Sequence, residues 1–412
     1  MGQRPIWVKK LFARTACTRS EGGGSVIGLC SMERRGLGQR PILIKGVEAM
    51  EKQVKVERHR RFWQPLQRGE GGYLAVLSPM GNTPVAPPQP SSLEEQWLSV
   101  DYRMKVMESS IANTCYGLDA IHNQFVNFGP GVHAALLGAP YQLTKDSIWF
   151  GAEPIIKDWD TPVTLKTNTN HELYKEIENH TRTFCAASKG RYFVSATDIG
   201  GQYDVLYSLR GEELLIDMLE YPNEVMAAEE NLNREFVEYF NTLCKIIGDA
   251  NCGYTGWMPI VSDTPWYPIQ CDMSVMISPK MFEKFVLPSL DWVSTQIGQT
   301  IYHLDGAEQI QHLDMLLSLK HIHAIQWTMS SKRDDVNKGE YTNYDDEMSI
   351  DIYKRTIAAG KKVVLIGVNP AQVANIYNRV GTSDGIFILT YCPTRKQADA
   401  LIDHATKNWV KL

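Results

Sequence analysis

The fold is decided by the stretch between residues 300 and 391, which contains the runs TIYHLD (300–305), HIHAIQW (321–327), KVVLIGV (362–368) and GIFILTY (385–391). Their β-branched and aromatic residues are typical of buried strands. Apolar residues at helical spacing mark the segments between them, which are 309–319, 349–359 and 370–380. Strands that alternate with helices in this way predict a parallel sheet.

The same alternation extends toward the amino terminus. Further strand-like runs occur at 73–77, 125–128, 191–198 and 254–258. About eight strands over roughly 300 residues favour a closed barrel over an open sheet, so we predict an α/β fold of the (β/α)8 TIM-barrel class for residues 95–412. No GxGxxG or GxxxxGKS/T motif follows a strand, which argues against a nucleotide or dinucleotide site.

The composition excludes several classes of protein. The chain has 412 residues, of which 43% are hydrophobic and 22% charged, and its formal net charge is −5. This mild acidity offers no electrostatic footprint for nucleic acid, and no apolar run is long enough to span a membrane. The eight cysteines form no CxxC pair and are scattered along the chain. Such scatter favours reduced thiols and a cytoplasmic location over a disulfide framework.

The first 49 residues differ from the rest of the chain. They carry nine Lys or Arg against three Asp or Glu, and the string GQRPI occurs in them twice, at 2–6 and 38–42. Three interpretations compete: a transit peptide, a basic interaction arm, and an unstructured extension ahead of a start at Met50. Residues 50–94 are predicted to form a lead-in that contains the proline-rich loop 82–90.

A barrel of this class places its chemistry at the carboxyl ends of the strands. His303 and Asp305 are two residues apart in one predicted strand, so their side chains share a face. Cys392 follows the last strand, which would lie beside the first. Imidazole, carboxylate and thiolate are all zinc ligands, so these three residues are a candidate zinc site. The alternative is that each has an ordinary structural role, as buried cysteines usually do.

Other strand ends supply candidate catalytic and substrate-binding residues. Asp198, together with Asp305, is a candidate catalytic carboxylate, although Asp198 could equally cap the helix that follows it. Gln326 and Trp327 end the predicted sixth strand and are candidate substrate contacts, with core packing as the alternative for the tryptophan. Asp272 lies in a loop after the predicted fourth strand, where binding residues are common.

Several segments resemble the uroporphyrinogen decarboxylase superfamily in their order along residues 95–410. The resemblance rests on 128–131 (FGPG), 271–279 (CDMSVMISP), 282–288 (FEKFVLP), 302–306 (YHLDG) and 325–327 (IQW). It implies a (β/α)8 barrel and one of two chemistries. The decarboxylases act without a cofactor and use an arginine-rich RQAGR loop, which this chain lacks.

The second branch of that superfamily comprises zinc-dependent methyltransferases linked to corrinoids. They use His-x-Cys at the end of strand five and a Cys after strand eight. This sequence is similar to them at His303 and Cys392 but has Asp305 in place of the first cysteine. It contains no corrinoid-binding DxHxxG motif, so a corrinoid would be carried by a separate partner protein.

Three functions follow as hypotheses. The leading one is a methyltransferase that moves a methyl group between a small-molecule donor and a corrinoid protein or a thiol, with zinc at His303, Asp305 and Cys392. The second is a cofactor-free decarboxylase of a porphyrin or a smaller carboxylated substrate, in which Asp198 or Asp305 stabilises the intermediate. The third is a non-catalytic barrel that serves as a binding subunit. The oligomeric state is left open.

Overall fold

A computed structural model describes residues 43–81, 83–248, 253–329 and 343–411 of the chain. Residues 1–42 lie outside the described residues, so the predictions for that part of the basic segment 1–49 are not tested. Residues 43–49, the rest of the segment, begin a helix. In these four ranges no helix combines the length and the apolarity needed to cross a bilayer.

Eleven strands are present in the described ranges. They are β1 (Tyr73–Pro79), β2 (Thr114–Leu118), β3 (Asn123–Phe125), β4 (Tyr141–Leu143), β5 (Ile148–Phe150), β6 (Phe193–Ser195), β7 (Tyr267–Gln270), β8 (Thr300–Asp305), β9 (Ile322–Thr328), β10 (Lys362–Val368) and β11 (Ile386–Tyr391). Seven of them form the central sheet in the order β2-β1-β11-β10-β9-β8-β7. All pairs in that sheet are parallel except β1 with β2.

Fourteen α-helices lie in the same described ranges. They are α1 (Leu43–Phe62), α2 (Leu93–Leu98), α3 (Val100–Asn113), α4 (His133–Leu136), α5 (Glu172–Ser188), α6 (Gln202–Arg210), α7 (Leu214–Glu220), α8 (Pro222–Gly248), α9 (Pro279–Met281), α10 (Leu287–Ile297), α11 (Leu313–Ser318), α12 (Glu347–Ala358), α13 (Val373–Val380) and α14 (Arg395–Asn408). Two 3-10 segments, Asp272–Met276 and Ala307–His312, and one π segment, Phe282–Val286, complete the described secondary structure.

The predicted parallel α/β architecture is confirmed. β8 and β10 have the bounds that the sequence predicted, and a helix separates each parallel strand from the next between β8 and β11. β1 pairs with β11, so residues from the predicted lead-in 50–94 lie inside the central sheet. β3 and β6 form a separate parallel pair, and among the described residues their hydrogen bonds do not join them to the central sheet.

The prediction of a fourth strand at 254–258 was wrong. Tyr254 forms only an isolated antiparallel bridge with Ser262, and the strand beside β8 is β7. The run resembles a strand because it is rich in aromatic and apolar residues, of which Met258 is buried. Met258 and Ile260, however, pack against the inside of the sheet rather than joining it. Asp272 consequently follows β7 directly instead of lying in a long loop.

The two faces of the central sheet pack against different partners. A second cluster, which we name the inner cluster, contains strand residues that alternate with those facing the helices: Tyr73, Ala75, Ile301, Ala324, Val364, Ile366 and Phe387. It also contains Phe62 at the end of α1 and, from the connecting segments, Trp63, Ala120, Met258, Ile260 and Trp266. The larger cluster lies between the other sheet face and the helices. Side chains on successive strand residues point to opposite faces, so this division assigns each strand position to the inner or the outer face.

A buried ion pair attaches α1 to the sheet. Arg58 Nε lies 2.5 Å from Asp119 Oδ1, and the two side chains are 3% and 0% exposed. Asp119 Oδ2 also accepts a hydrogen bond from the backbone N–H of Leu74 at the start of β1. Arg58 donates further bonds to the carbonyl oxygens of Gly72 and Lys411. One guanidinium therefore links the first helix, the first strand and the carboxyl end of the chain.

Arg58→Met is expected to destabilise the protein by about 3–5 kcal/mol, because it leaves the Asp119 carboxylate buried without its partner. The free energy of unfolding from urea titration measures this loss. Arg60→Met is the matched control, since Arg60 pairs with Asp263 at the surface, where both side chains are largely exposed. The control is expected to cost about 0–1 kcal/mol. Equal effects of the two substitutions would contradict the structural role given to Arg58.

Helix α8 carries a buried carboxyl group. Its apolar residues recur at helical spacing, which explains why residues 222–248 form one long helix that begins at Pro222. Glu229 lies on the buried side at 4% exposure, and its Oε1 accepts no hydrogen bond. Burial raises the pKa of Glu229 to about 7, while hydrogen bonds from Ser289 and Asn233 oppose that rise.

Glu229→Gln is expected to stabilise the protein at alkaline pH. The folded state holds the proton of Glu229 more tightly than the unfolded state, so wild-type stability falls as the pH rises from about 4.5 to about 7. Above pH 7 the variant should be more stable by up to about 3 kcal/mol, and below pH 4.5 the difference should vanish. Urea titrations at pH 4.5 and 8 measure it. The exposed neighbour, as Glu230→Gln, serves as the control and should show no such pH dependence.

Candidate metal centre

Three side chains converge at the carboxyl ends of neighbouring strands. Ligand atoms of Asp272, His303 and Asp305 all lie within 4.8 Å of one another. Asp272 is the first residue after Cys271, which follows β7, and His303 and Asp305 belong to β8. Ile301 is in the inner cluster, whereas Tyr302 and Leu304 face the helices. The two-residue period therefore brings both His303 and Asp305 to the inner face, as the sequence predicted.

Gln326 orients the imidazole of His303. The Nε2 of Gln326 donates to the carbonyl oxygen of Trp327 at 2.9 Å and to Thr328 Oγ1 at 2.7 Å. Its Oε1 is therefore the atom that contacts His303 Nδ1. An amide oxygen accepts hydrogen bonds, so Nδ1 carries the proton and Nε2 keeps its lone pair. A metal-binding histidine is usually fixed in this way by a partner at its other ring nitrogen.

Asp204 holds Asp272 in place. Its carboxylate accepts the backbone N–H groups of Asp272 at 2.9 Å and of Met273 at 2.8 Å. Asp204 lies in the first turn of α6, whose N-cap is Gly201. A Cβ at Gly201 would approach the carbonyl oxygen of Gln270 to 2.3 Å, so only glycine allows this helix to pack so closely on β7. Sequence reasoning missed Asp204, and its only local signal was the Gly200-Gly201 pair before the helix.

The centre concentrates negative charge in a buried place. Burial raises the pKa of Asp272, His303 lowers it, and the nearby carboxylates of Asp305 and Asp198 raise it again. Burial likewise raises the pKa of Asp305, against the effect of His303. The Oδ1 atoms of Asp272 and Asp305 are both buried and accept no hydrogen bond. Unpaired buried carboxylate oxygens are costly, and a bound cation would satisfy both of them.

Asp198 lies beside this group. Its Oδ1 accepts a hydrogen bond from the hydroxyl of Tyr267 at 3.1 Å, and that hydroxyl in turn accepts the backbone N–H of Ile199 at 2.7 Å. Burial raises the pKa of Asp198, whereas Tyr267 and then His303 lower it. The following helix begins at Gln202 with Gly201 as its N-cap, so the alternative role of Asp198 as a helix cap is not observed.

Two predicted site residues are not brought to this group. Trp327 is fully buried on the outer face, and its Nε1 donates to Ser349 Oγ at 3.0 Å, as its core-packing alternative required. Cys392 is buried just after β11, and its backbone N–H donates to the carbonyl oxygen of Leu77. In the described ranges, Asp272 is the third member of the group and Cys392 lies outside it.

The donor set fits a divalent metal ion. Two carboxylates and one imidazole are ligands that zinc accepts, and three protein ligands with a free position are typical of catalytic zinc sites. The set is harder than the thiolate-containing one expected from the sequence, because oxygen replaces sulfur. Harder ions such as manganese therefore compete for the same residues.

Comparison with known proteins gives likenesses among solved structures. No family model matches the chain, and no curated protein matches it in sequence. Among solved structures, a methyltransferase from Methanosarcina mazei superposes with a TM-score of 0.55 at 10% sequence identity, over 86% of this chain and 98% of that one. At this identity the likeness shows a shared α/β fold.

Gln326→Leu is expected to weaken binding of a divalent metal by about 10–100-fold, because the imidazole of His303 loses the acceptor that fixes its tautomer. Gln326→Glu keeps an acceptor at that place and should retain binding. Gln311→Leu, at an exposed position on the neighbouring 3-10 segment, is the control for the loss of an amide. Zinc titration by calorimetry at constant pH measures all three. Equal affinities for Gln326→Leu and wild type would contradict the orienting role.

Proposed function

We propose that this chain is a metal-dependent methyltransferase of the uroporphyrinogen decarboxylase superfamily. The α/β fold shared with the Methanosarcina mazei methyltransferase supports the reaction class. The parallel pairing of the first and last strands, β1 and β11, supports a closed (β/α)8 barrel, in which the β3–β6 pair would fill the gap between the edge strands β2 and β7. The domain division that we propose keeps residues 95–412 as the barrel, with β1 contributed from residues 50–94.

The observation that carries the proposal is the meeting of two unpaired, buried carboxylate oxygens with one oriented imidazole. Asp272, His303 and Asp305 would hold the ion, and we propose zinc. When bound, such an ion supplies Lewis acidity to the heteroatom that gives up or receives the methyl group. Cys392 would be added to these ligands if its substitution changed metal binding.

The chain's own residues prepare the site for that chemistry. Gln326 keeps the lone pair of His303 Nε2 free, and Asp204 holds Asp272 by its backbone. Asp198, with its raised pKa and its bond from Tyr267, is placed to hold a proton beside the reacting group. The burial of the carboxylate oxygens limits competition from water, which strengthens each electrostatic interaction in the site.

The partners of the reaction follow from the sequence alone. We propose a small-molecule methyl donor and, as acceptor, a thiol or a corrinoid carried by a separate protein, because the chain lacks the DxHxxG motif. A cytoplasmic location is proposed from the scattered cysteines. Five of these are free thiols in the described ranges.

The full chain, purified without chelator, is expected to contain about one zinc per molecule by elemental mass spectrometry. Asp272→Asn and Asp305→Asn should lose most of it, since each removes a charged ligand. Cys392→Ser is the matched comparison and should keep its zinc. Saturating zinc should also raise the free energy of unfolding, by about 2.7 kcal/mol at a hundred times the dissociation constant.

The opposite pattern would overturn this assignment. Zinc lost from Cys392→Ser and retained in Asp272→Asn would move the centre to the cysteine-containing set. A folded chain that binds no divalent metal, and whose turnover of a carboxylated substrate survives exhaustive chelation, would favour the cofactor-free decarboxylase instead. A folded chain that binds neither metal nor substrate would favour the non-catalytic barrel.

A further inference from the structure

The inner face of the sheet is polar in one half and apolar in the other. Toward their carboxyl ends, β8 and β9 present polar side chains, among them His303 and Gln326. β1, β10 and β11 present apolar or aromatic ones, which we name the apolar wall: Leu77 on β1, Ile366 on β10, and Leu389 and Tyr391 on β11. β7, the other neighbour of β8, ends in the polar residue Gln270. Leu77 and Leu389 pack against the inner cluster, and Ile366 is part of it. Tyr391 follows Leu389 by two residues and so shares its face.

The polar half and the apolar wall are parts of one continuous surface. Strand pairing sets Ile366 opposite Leu389, and Leu77 opposite Tyr391. β10, which carries the wall, also pairs with β9, which carries Gln326. His303 on β8 is level with Val364 on β10, so two strand spacings and a two-residue offset, together roughly 12 Å, separate His303 from Ile366. This distance is within the span of a small molecule.

Trp257 adds a further apolar surface next to the metal ligands. Its ring meets that of His303 edge to face, with 5.4 Å between the centroids, and it packs against the inner cluster. A ligand bound at His303 would therefore lie next to an aromatic ring. Tyr391 is 53% exposed, so the wall continues to the outside of the protein.

Among the described residues, the inner face offers no cationic side chain to an anionic substrate near the carboxyl ends of the strands. On the described part of the inner face, near the carboxyl ends of β1 and β7–β11, none of the side chains is a lysine or an arginine. Lys362 shares the face but lies at the amino end of β10, where its Nζ pairs with Glu70 at 2.9 Å. The charges at the site itself are the carboxylates of Asp198, Asp272 and Asp305. A substrate with several carboxylates would therefore find no cationic partner among the described residues of this face.

We infer that the small-molecule substrate is uncharged, with one heteroatom at His303 and Asp305 and an apolar body against Leu77, Ile366 and Leu389. The inference rests on the proposed function for the placement of the heteroatom, and on the apolar wall for the body. An uncharged substrate would distinguish this chain from enzymes that act on acidic tetrapyrroles and other polyanions. On this inference, Leu389 and Tyr391 determine which substrates bind.

The test uses the straight-chain alcohols from 1-propanol to 1-hexanol as probes, with ligand-observed NMR on the full chain, zinc-free and zinc-loaded. Affinity is expected to rise about fourfold for each added methylene, because each is removed from water by the wall. Leu389→Asn should flatten this dependence. Tyr391→Ser changes an exposed position that the fold tolerates, and should weaken the longer probes. Ile216→Asn, at an exposed apolar position on α7, is the control and should leave the series unchanged.

A second comparison isolates charge. Glutarate and 1-pentanol have the same number of carbons, and on the zinc-free chain glutarate should bind about tenfold more weakly or worse. Tighter binding of glutarate, or affinities that do not depend on chain length, would overturn the inference. If the three ligands bind zinc but the affinity for the alcohols does not depend on chain length, the inference about the apolar wall fails and the proposed function stands. If the affinity for the alcohols depends on chain length but the protein binds no zinc, the proposed function fails and the inference about the apolar wall stands.

Discussion

The packing of α1, β1 and the last described residues depends on one buried ion pair, that of Arg58 with Asp119. Two ions removed from water carry a large desolvation cost, and only a complete set of hydrogen bonds offsets it. Here the carboxylate accepts from the guanidinium and from the backbone of Leu74, while the guanidinium also reaches the carbonyl oxygens of Gly72 and Lys411. The pair thereby sets where β1 enters the sheet, and β1 is the strand on which β11 pairs.

The metal centre uses buried carboxylates in two different ways. Asp204 is satisfied by two backbone N–H groups, so it acts as a structural support for the turn after β7. Asp272 and Asp305 each leave one buried oxygen without a donor, so they remain available for an external cation. The difference lies in what surrounds each group, since all three side chains are chemically the same. The interaction of Asp204 with the backbone thus holds Asp272, one member of the unsatisfied pair, in position.

The same strands combine this centre with an apolar surface. Alternation along each strand sends one set of residues toward the helices and the other to the inner face, where the inner cluster fills the amino-terminal part. Above that cluster, β8 and β9 end in polar residues, and β10, β11 and β1 end in apolar ones. A site with both properties can bind a heteroatom and the apolar group that carries it, which is the combination that the proposed chemistry requires.

The sequence by itself determined the parallel α/β architecture, the bounds of β8 and β10, and the shared face of His303 and Asp305. These features depend on periods of two or 3.6 residues, which are local properties of the chain. It could not determine which of the adjacent residues Gln326 and Trp327 faces inward, or that residues 254–258 are buried without forming a strand. Only the tertiary structure decided that Asp272 joins the centre, that Asp204 supports it and that Cys392 lies outside the group, because these facts depend on distances between strands that are far apart in sequence.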